Sequence, residues 1–561
     1  MISRRDILAA GAALAACGAV CRSGAAQGLP TLEALIGEAF GDLTLVHVTD
    51  LHGQLRPMRY REASVNEGVG AARGEPPFLT GEAFRRFFGI EAGTAMAHAV
   101  SHESFESLAQ RFGPMGGLDR IATLVKAIRA QRPGRTLVLD GGDTWQGGYP
   151  SLATRGMAMV ELMGLIAPEA MTAHWEFTYG AERVKELIAA AEARGTSFLA
   201  GNVQDTEWNE DVFTPTATFE RGGVKVAVIG QAFPYTPIAN PRWMIPDWSM
   251  GIHEEKLARR VEEARADGAV IVVLLSHNGF AVDRKLASRV GGIDVILVGH
   301  THDCTPRPIR VGETLLVAAG SHGKFVNRLD IAVSGSRVRE VRHRLIPVFA
   351  DAIAPDEVMA VAISAQRAPH AAMLARVLGR TEGTLYRRGN LNGTWDDLIC
   401  DALIAERDAE IALSPGFRWG PSLLPGSDIT MEDVYDQTAI TYPAAWRQEL
   451  TGAQLKEILE DVCDNLFNPD PYYQQGGDMV RVGGLGFSIA VDRPAGQRIG
   501  DLTMLKRNEP LDPSRRYVVA GWASVNQGTE GPPIWELVAR HVERLGTVRP
   551  TPNTAIRILR G

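Results

Sequence analysis

Two aspartate-bearing glycine turns and three histidine-bearing turns hold the residues whose types and spacing could do chemistry. Asp143 lies in Thr136–Gly148 (TLVLDGGDTWQGG), where apolar and β-branched residues read as a short buried strand. That strand breaks into Asp140, two glycines, Asp143 and a further glycine pair. Glycines let the backbone turn sharply, so the Asp143 carboxylate can project from the strand's C-terminal end. Asp50 and His52 close another apolar run, Leu43–Thr49, and can address one ion if the chain turns between them. Downstream, His174, His277 and the pair His300 and His302 each follow a predicted strand or sit at a turn. Carboxylates and imidazoles are donors to divalent metals. Their order and spacing are those of a two-metal hydrolase with Asp143 as the bridging ligand. His47, His253 and His322 read as core histidines, and His98 and His102 as surface residues.

The elements that must position these residues alternate between strands and helices. Strands are predicted at Leu43–Thr49, Thr136–Leu139, Ser197–Val203, Val224–Ile229, Ala269–Leu275, Val295–Val298 and Leu315–Ala319. Helices are predicted over residues 28–41, from Leu118 to about Ala130, and at Met157–Ile166. Residues 54–117, rich in Gly, Pro, Arg and Glu and without strong periodicity, read as an insertion over the site. Polar residues gathered at strand C-termini describe a layered α/β sheet.

At 561 residues the chain calls for two or three domains. The catalytic unit is expected at residues 28–345, a linker helix at 346–378 and a smaller second domain at 379–561. In that second domain a helix from Trp395 to Glu406 precedes a strand, Glu410–Leu413, and the loop Ser414–Arg418. Arg387 reads as a surface residue. The Tyr- and Gly-rich stretch Asn468–Met479 borders a channel or is an ordinary surface loop.

A net charge of −8 argues against binding nucleic acid by backbone neutralisation. Cys304, Cys400 and Cys463 are too few and scattered for a disulfide framework or a thiolate metal site. Residues 1–27 read as a twin-arginine signal peptide: Ser3-Arg4-Arg5-Asp6-Ile7-Leu8, an apolar run, then small residues near Gly24-Ala25-Ala26. Export to the periplasm follows. Leu14-Ala15-Ala16-Cys17 also fits a lipoprotein box, an alternative in which Cys17 is lipidated. No later stretch is apolar for long enough to span a bilayer.

The motifs DLHG (50–53), GGDTWQG (141–147), LSHNG (275–279) and GHTH (299–302), with the loop at 174–180, resemble the calcineurin-like metallophosphoesterases, and within them the 5′-nucleotidase family. The resemblance implies a layered αββα domain followed by a smaller α+β C-terminal domain. It gives one ion Asp50, His52, Asp143 and His302, and the second Asp143, His174, His277 and His300. It implies manganese, whereas the donor types alone suit manganese, zinc or iron equally. It also carries over Arg418 and Arg388 as contacts for the substrate's anionic end.

One loop departs from the family pattern. Where the family reads Asn-His-Glu-Phe-Asp-Tyr-Gly, this chain reads His174-Trp175-Glu176-Phe177-Thr178-Tyr179-Gly180. His174 replaces a metal-binding Asn, Trp175 the histidine acid, and Thr178 its orienting aspartate. An indole cannot deliver a proton, so the leaving group must depart unprotonated. The nucleotidases' base-stacking C-terminal loop has no counterpart at residues 523–533. Together these features resemble the periplasmic thiosulfohydrolases, whose substrate is a sulfonate-terminated sulfane chain on a carrier protein's cysteine. The implied partner is a carrier complex presenting that cysteine on a flexible arm, and the enzyme is expected as a monomer. Trp175 is expected to wall the substrate channel. The alternatives are a periplasmic 5′-nucleotidase or cyclic-nucleotide phosphodiesterase, and a non-catalytic docking module.

Overall fold

The computed structural model describes residues 28–389 and 391–559; the segment 1–27 expected as a signal peptide, with Cys17, lies outside them. Two six-stranded sheets are stacked face to face. The first runs, in spatial order, Arg337–Pro347, Phe325–Ser334, Leu43–Val48, Thr136–Asp140, Ala170–Met171 and Ser197–Phe198. The second runs Ile309–Val311, Thr314–Ala318, Val295–Val298, Ile271–Ser276, Val224–Gln231 and Thr216–Arg221.

Both faces of the central strands are apolar, which is why these segments read as continuous hydrophobic runs. Leu43, Leu45, Leu137 and Leu139 pack between the sheets against Val226, Val228, Val273 and Leu297. The alternate residues Val46, Val48 and Val138 pack with Leu124, Val125 and Leu162 of the helices Leu118–Gln131 and Met157–Ile166. Helices Glu254–Ala266 and Phe280–Arg289 cover the outer face of the second sheet. The layers are therefore α, β, β, α.

Parallel register brings the strand ends level. Val48 pairs with Asp140 in the first sheet. In the second, Ser276 pairs with both Val298 and Gln231. The loops leaving these ends carry Asp50 and His52, Asp143, His277, and His300 and His302.

Beyond the linking helix Glu357–Arg367 and the short helix Ala371–Leu374, the first strand of the second half, Val377–Thr381, starts inside the segment expected to be linker helix. Two four-stranded sheets and one of three strands follow, with helices Thr394–Arg407, Met431–Thr438, Gly452–Phe467 and Ile534–Leu545.

Several expectations need correction. Ser197–Val203 is not one strand: Ser197–Phe198 closes the first sheet, and Val203–Asp205 pairs separately with Trp248–Met250. Between them the Asn202 side chain bonds the Ala232 backbone and turns the chain. The helix expected over 28–41 is confined to Leu32–Ile36, ended by Gly37 at φ 73°. The 54–117 segment contains the helices Gly81–Phe88, Ala95–Val100 and Phe105–Phe112, each too short for its apolar face to stand out in the sequence. His98 is a core residue, with Phe105 and Phe112 at ring separations of 6.3 and 6.0 Å. Arg387 is likewise buried, donating to Asp396 at 2.8 Å. The segment also ties the two halves together: Ser422 N–H donates to the Arg59 carbonyl, and the Tyr60 hydroxyl to the Arg418 carbonyl.

Candidate metal centre

Three of the ligand loops turn just after their strands through residues in the left-handed region. Asp50, His52, Asp143, His300 and His302 have φ of 52°, 46°, 54°, 75° and 59°. Side chains other than glycine adopt this conformation at a cost, and such residues cluster at functional sites.

The seven expected ligands converge. Two four-residue groups form, Asp143 with His174, His277 and His300, and Asp50 with His52, Asp143 and His302, with ligand atoms within 4.8 Å of one another in each. Asp143 is common to both. Its Oδ2 lies 3.1 Å from His174 Nδ1, 3.0 Å from His277 Nε2 and 3.8 Å from His52 Nε2. In the second group His302 Nε2 is 3.3 Å from Asp50 Oδ1 and 2.9 Å from His52 Nε2.

Partners on the far side fix the imidazoles. His277 Nδ1–H donates to the Gly141 carbonyl at 2.6 Å, which leaves the Nε2 lone pair facing the cluster. His174 does the converse, with Nε2 on Asn240 Oδ1 at 3.2 Å and Nδ1 toward Asp143. His302 Nδ1 rests on the Arg418 carbonyl at 3.3 Å. Both ring nitrogens of His300 are buried without a hydrogen-bond partner among the described residues. Buried imidazole nitrogens left open beside two carboxylates are what divalent cations require, so these donors fit a dinuclear centre.

The same carboxylates and imidazoles also stabilise one another's charge directly. Burial opposes ionisation of Asp143, but His174 and His277 outweigh it and hold the carboxyl well below its ordinary range. Burial likewise lowers His277, and the Asp143 and Asp50 carboxylates overcome that effect, raising it to about 10. Asp50 is held low by His277 and His302 against the same desolvation.

A cavity of about 170 Å³ opens onto this cluster, lined by His52, Asp143, His174, His300 and His302 together with Trp175, Phe417, Arg418 and Trp419. The stretch 475–478 lines it as well, so the loop at 468–479 borders the cavity. Arg418 Nε donates to Asp478 at 3.0 Å. Arg481 donates to the same carboxylate at 2.9 Å, and Arg388 lies 3.9 Å from it. One carboxylate is thus shared among three guanidinium groups.

Four contributors escaped the sequence reading. Glu176 is fully buried, and its carboxylate accepts the N–H groups of Asp143, Thr144, Trp145 and His174 at 3.3, 2.7, 3.1 and 2.9 Å. It belongs to the 174–180 loop, which was its signal. Gly476 approaches so closely that a Cβ there would lie 2.0 Å from His300 Nε2. Asn240 and Trp419 gave no sequence signal.

Stacked sheets, ligand loops at level strand ends and a cavity over paired donor groups define a hydrolase of the metallophosphoesterase class. Residues 375–537 match the model of the 5′-nucleotidase C-terminal domain. The sulfate thiohydrolase SoxB of Thermus thermophilus superposes with a TM-score of 0.90 at 38% identity, covering 93% of this chain and 98% of that one. A 5′-nucleotidase precursor from the same organism shares the fold at a TM-score of 0.73 and 23% identity, covering 92% and 99%. Rat 5′-nucleotidase is 28% identical over 199 residues, which is 34% of this chain and about a third (33%) of that protein's length. The chain belongs to the 5′-nucleotidase family, in the group of SoxB. No helix among the described residues is long and apolar enough to cross a membrane.

Proposed function

We propose that the chain is a thiosulfohydrolase: it hydrolyses the terminal sulfone from a carrier-protein cysteine S-thiosulfonate and releases sulfate. The observation that carries this reading is Trp175. It occupies the position at which the family resemblance places a proton-donating histidine, lies beside Asp143, and offers the leaving group no proton. An alkoxide would stall there, whereas a persulfide anion of low basicity leaves unaided.

Asp50, His52, Asp143 and His302 would hold one cation, and Asp143, His174, His277 and His300 the other, with Asp143 bridging. Manganese is the proposed metal. When bound, the pair supplies Lewis-acid neutralisation of the sulfonate oxygens and an activated water. Arg418, with Arg388 behind it, adds positive charge toward the same oxygens. The water oxygen forms a bond to the sulfone sulfur, and the bond to the adjacent sulfane sulfur breaks. Its electron pair stays on the carrier persulfide, and sulfate and two protons are released.

The paired arginines of the leader support twin-arginine export, hence action in the periplasm on a carrier resembling SoxYZ. Comparing sulfate release from a thiosulfonated carrier with phosphate release from AMP tests the reading. Sulfate release at rates well above those with AMP is expected. Efficient AMP turnover without sulfate release would overturn it in favour of a 5′-nucleotidase.

A further inference from the structure

Beside the ligand cluster lies an aromatic corner that the hydrolytic chemistry does not use. Trp175 stands edge-on to Phe417 (5.1 Å, 87°) and to Trp419 (4.8 Å, 90°), while Phe417 and Trp419 stack on each other at 4.1 Å. Although Trp175 comes from a loop of the first sheet's layer, its ring belongs to the hydrophobic cluster of the second half, with Trp395 and Trp522. The Trp419 ring lies 5.2 Å from His52, so the corner reaches the metal donors themselves. All three rings line the same cavity as Asp143 and Arg418.

We propose that Trp175, Phe417 and Trp419 form the sulfur-recognition surface of this site, holding the sulfane sulfur next to the sulfone while the sulfone oxygens face the donors and Arg418. The inference rests on the thiosulfohydrolase reading and specifies what that site selects. Divalent sulfur is large, polarisable and weakly hydrated, and it makes favourable contacts with aromatic rings at about 5 Å, often at their edges. Edge-on packing of Trp175 against a stacked pair brings both edges and faces to one corner. The same surface rejects an alkyl phosphate ester, because a sugar carrying hydroxyls would lose water there without gaining polar partners.

Thiosulfate and sulfate provide the test, since they share charge and tetrahedral shape and differ by one sulfur for one oxygen. Calorimetric titration of the metal-loaded full-length enzyme with each ion should show thiosulfate bound about three- to tenfold more tightly, the size of one or two sulfur–ring contacts. Phe417→Leu should reduce that preference toward unity with metal content unchanged, and Trp175→Phe, which keeps a ring, should retain most of it. Equal affinities in the wild type, or an undiminished preference in both Phe417→Leu and Trp419→Leu, would overturn the inference. Sulfate release from the thiosulfonated carrier, measured on the same preparations, separates the two levels. Release with no thiosulfate preference sinks the aromatic surface alone, and absence of release sinks the thiosulfohydrolase reading and this inference with it.

Discussion

The backbone N–H of Trp175 donates to Oδ1 of Asp143 at 2.7 Å, leaving Oδ2 to face the histidines. Trp175 thus orients the carboxylate through its main chain and shapes the cavity through its side chain. These roles are separable by substitution.

Trp175→His combined with Thr178→Asp should therefore keep both metals while changing the chemistry. Thr178 is buried, and its hydroxyl bonds the Trp175 carbonyl at 2.7 Å, so an aspartate there would sit beside the new imidazole. General-acid help is worth about 10²–10⁴-fold. AMP hydrolysis is expected to rise at least tenfold above the wild-type background, with sulfate release from the carrier falling. Phosphate and sulfate assays on metal-quantified protein check both directions, and unchanged AMP turnover would show that the proton was not what the site lacked.

Glu176 clamps two ligand loops together by accepting four backbone N–H groups, from Asp143, Thr144 and Trp145 on one side and His174 on the other. Glu176→Gln replaces one carboxylate oxygen with an NH₂ that must face some of those donors. Leaving buried donors unpaired costs about 1–3 kcal/mol each. The expected result is a clear drop in melting temperature and metal content below two ions per chain, read by calorimetry and elemental analysis. Two tightly held ions in this variant would show that the loops keep their shape without the clamp.

Much of this site was legible because metal chemistry constrains residue type and the βα architecture constrains position. Asp50, Asp143, His277, His300 and His302 each follow an apolar run, and parallel register brings those runs' ends level. The strand Val295–Val298 carries the same bounds in sequence and structure for that reason. The rest depends on contacts distant in sequence. Asn240 meets His174 across 66 positions, and Trp419 meets Trp175 through a loop of the second half. Arg387 looked like any exposed arginine, because its partner Asp396 lies nine positions on, inside a helix. The insertion's helices were hidden by their length, since eight residues give too few turns for a face to repeat.

Gly476 presses on a metal-ligand candidate. It sits at φ +76°, and an added Cβ would lie 2.0 Å from His300 Nε2. Gly476→Ala must displace either the loop or the imidazole, because neither the backbone conformation nor the space accepts a methyl group. The strain at φ > 0 costs about 1–2 kcal/mol, less than the roughly 5–15 kcal/mol that keeps a typical protein folded. The effect is expected instead in metal affinity, weakened at least tenfold at one of two sites, with sulfate release falling in parallel. Chelator competition monitored during metal titration distinguishes this from a global loss of stability, which would weaken both sites alike.

His98 gives the fold a pH dependence remote from the cluster. Burial, with the nearby Lys324 charge, lowers its pKa from 6.5 to about 4. The folded protein therefore keeps the ring neutral at pH values where the unfolded chain already binds a proton. As pH falls below about 6.5, unfolding takes up a proton and stability declines, until near pH 4 the folded form is protonated too. The full loss is about 3 kcal/mol, from roughly 1.4 kcal/mol per pH unit. Above pH 6.5 the residue adds no slope. Urea unfolding of wild type and His98→Leu between pH 7.5 and pH 4.5 isolates the contribution: the difference in unfolding free energy should shift in favour of the variant as the solution is acidified. Parallel curves through that range would mean that the His98 ring reaches solvent in the native state.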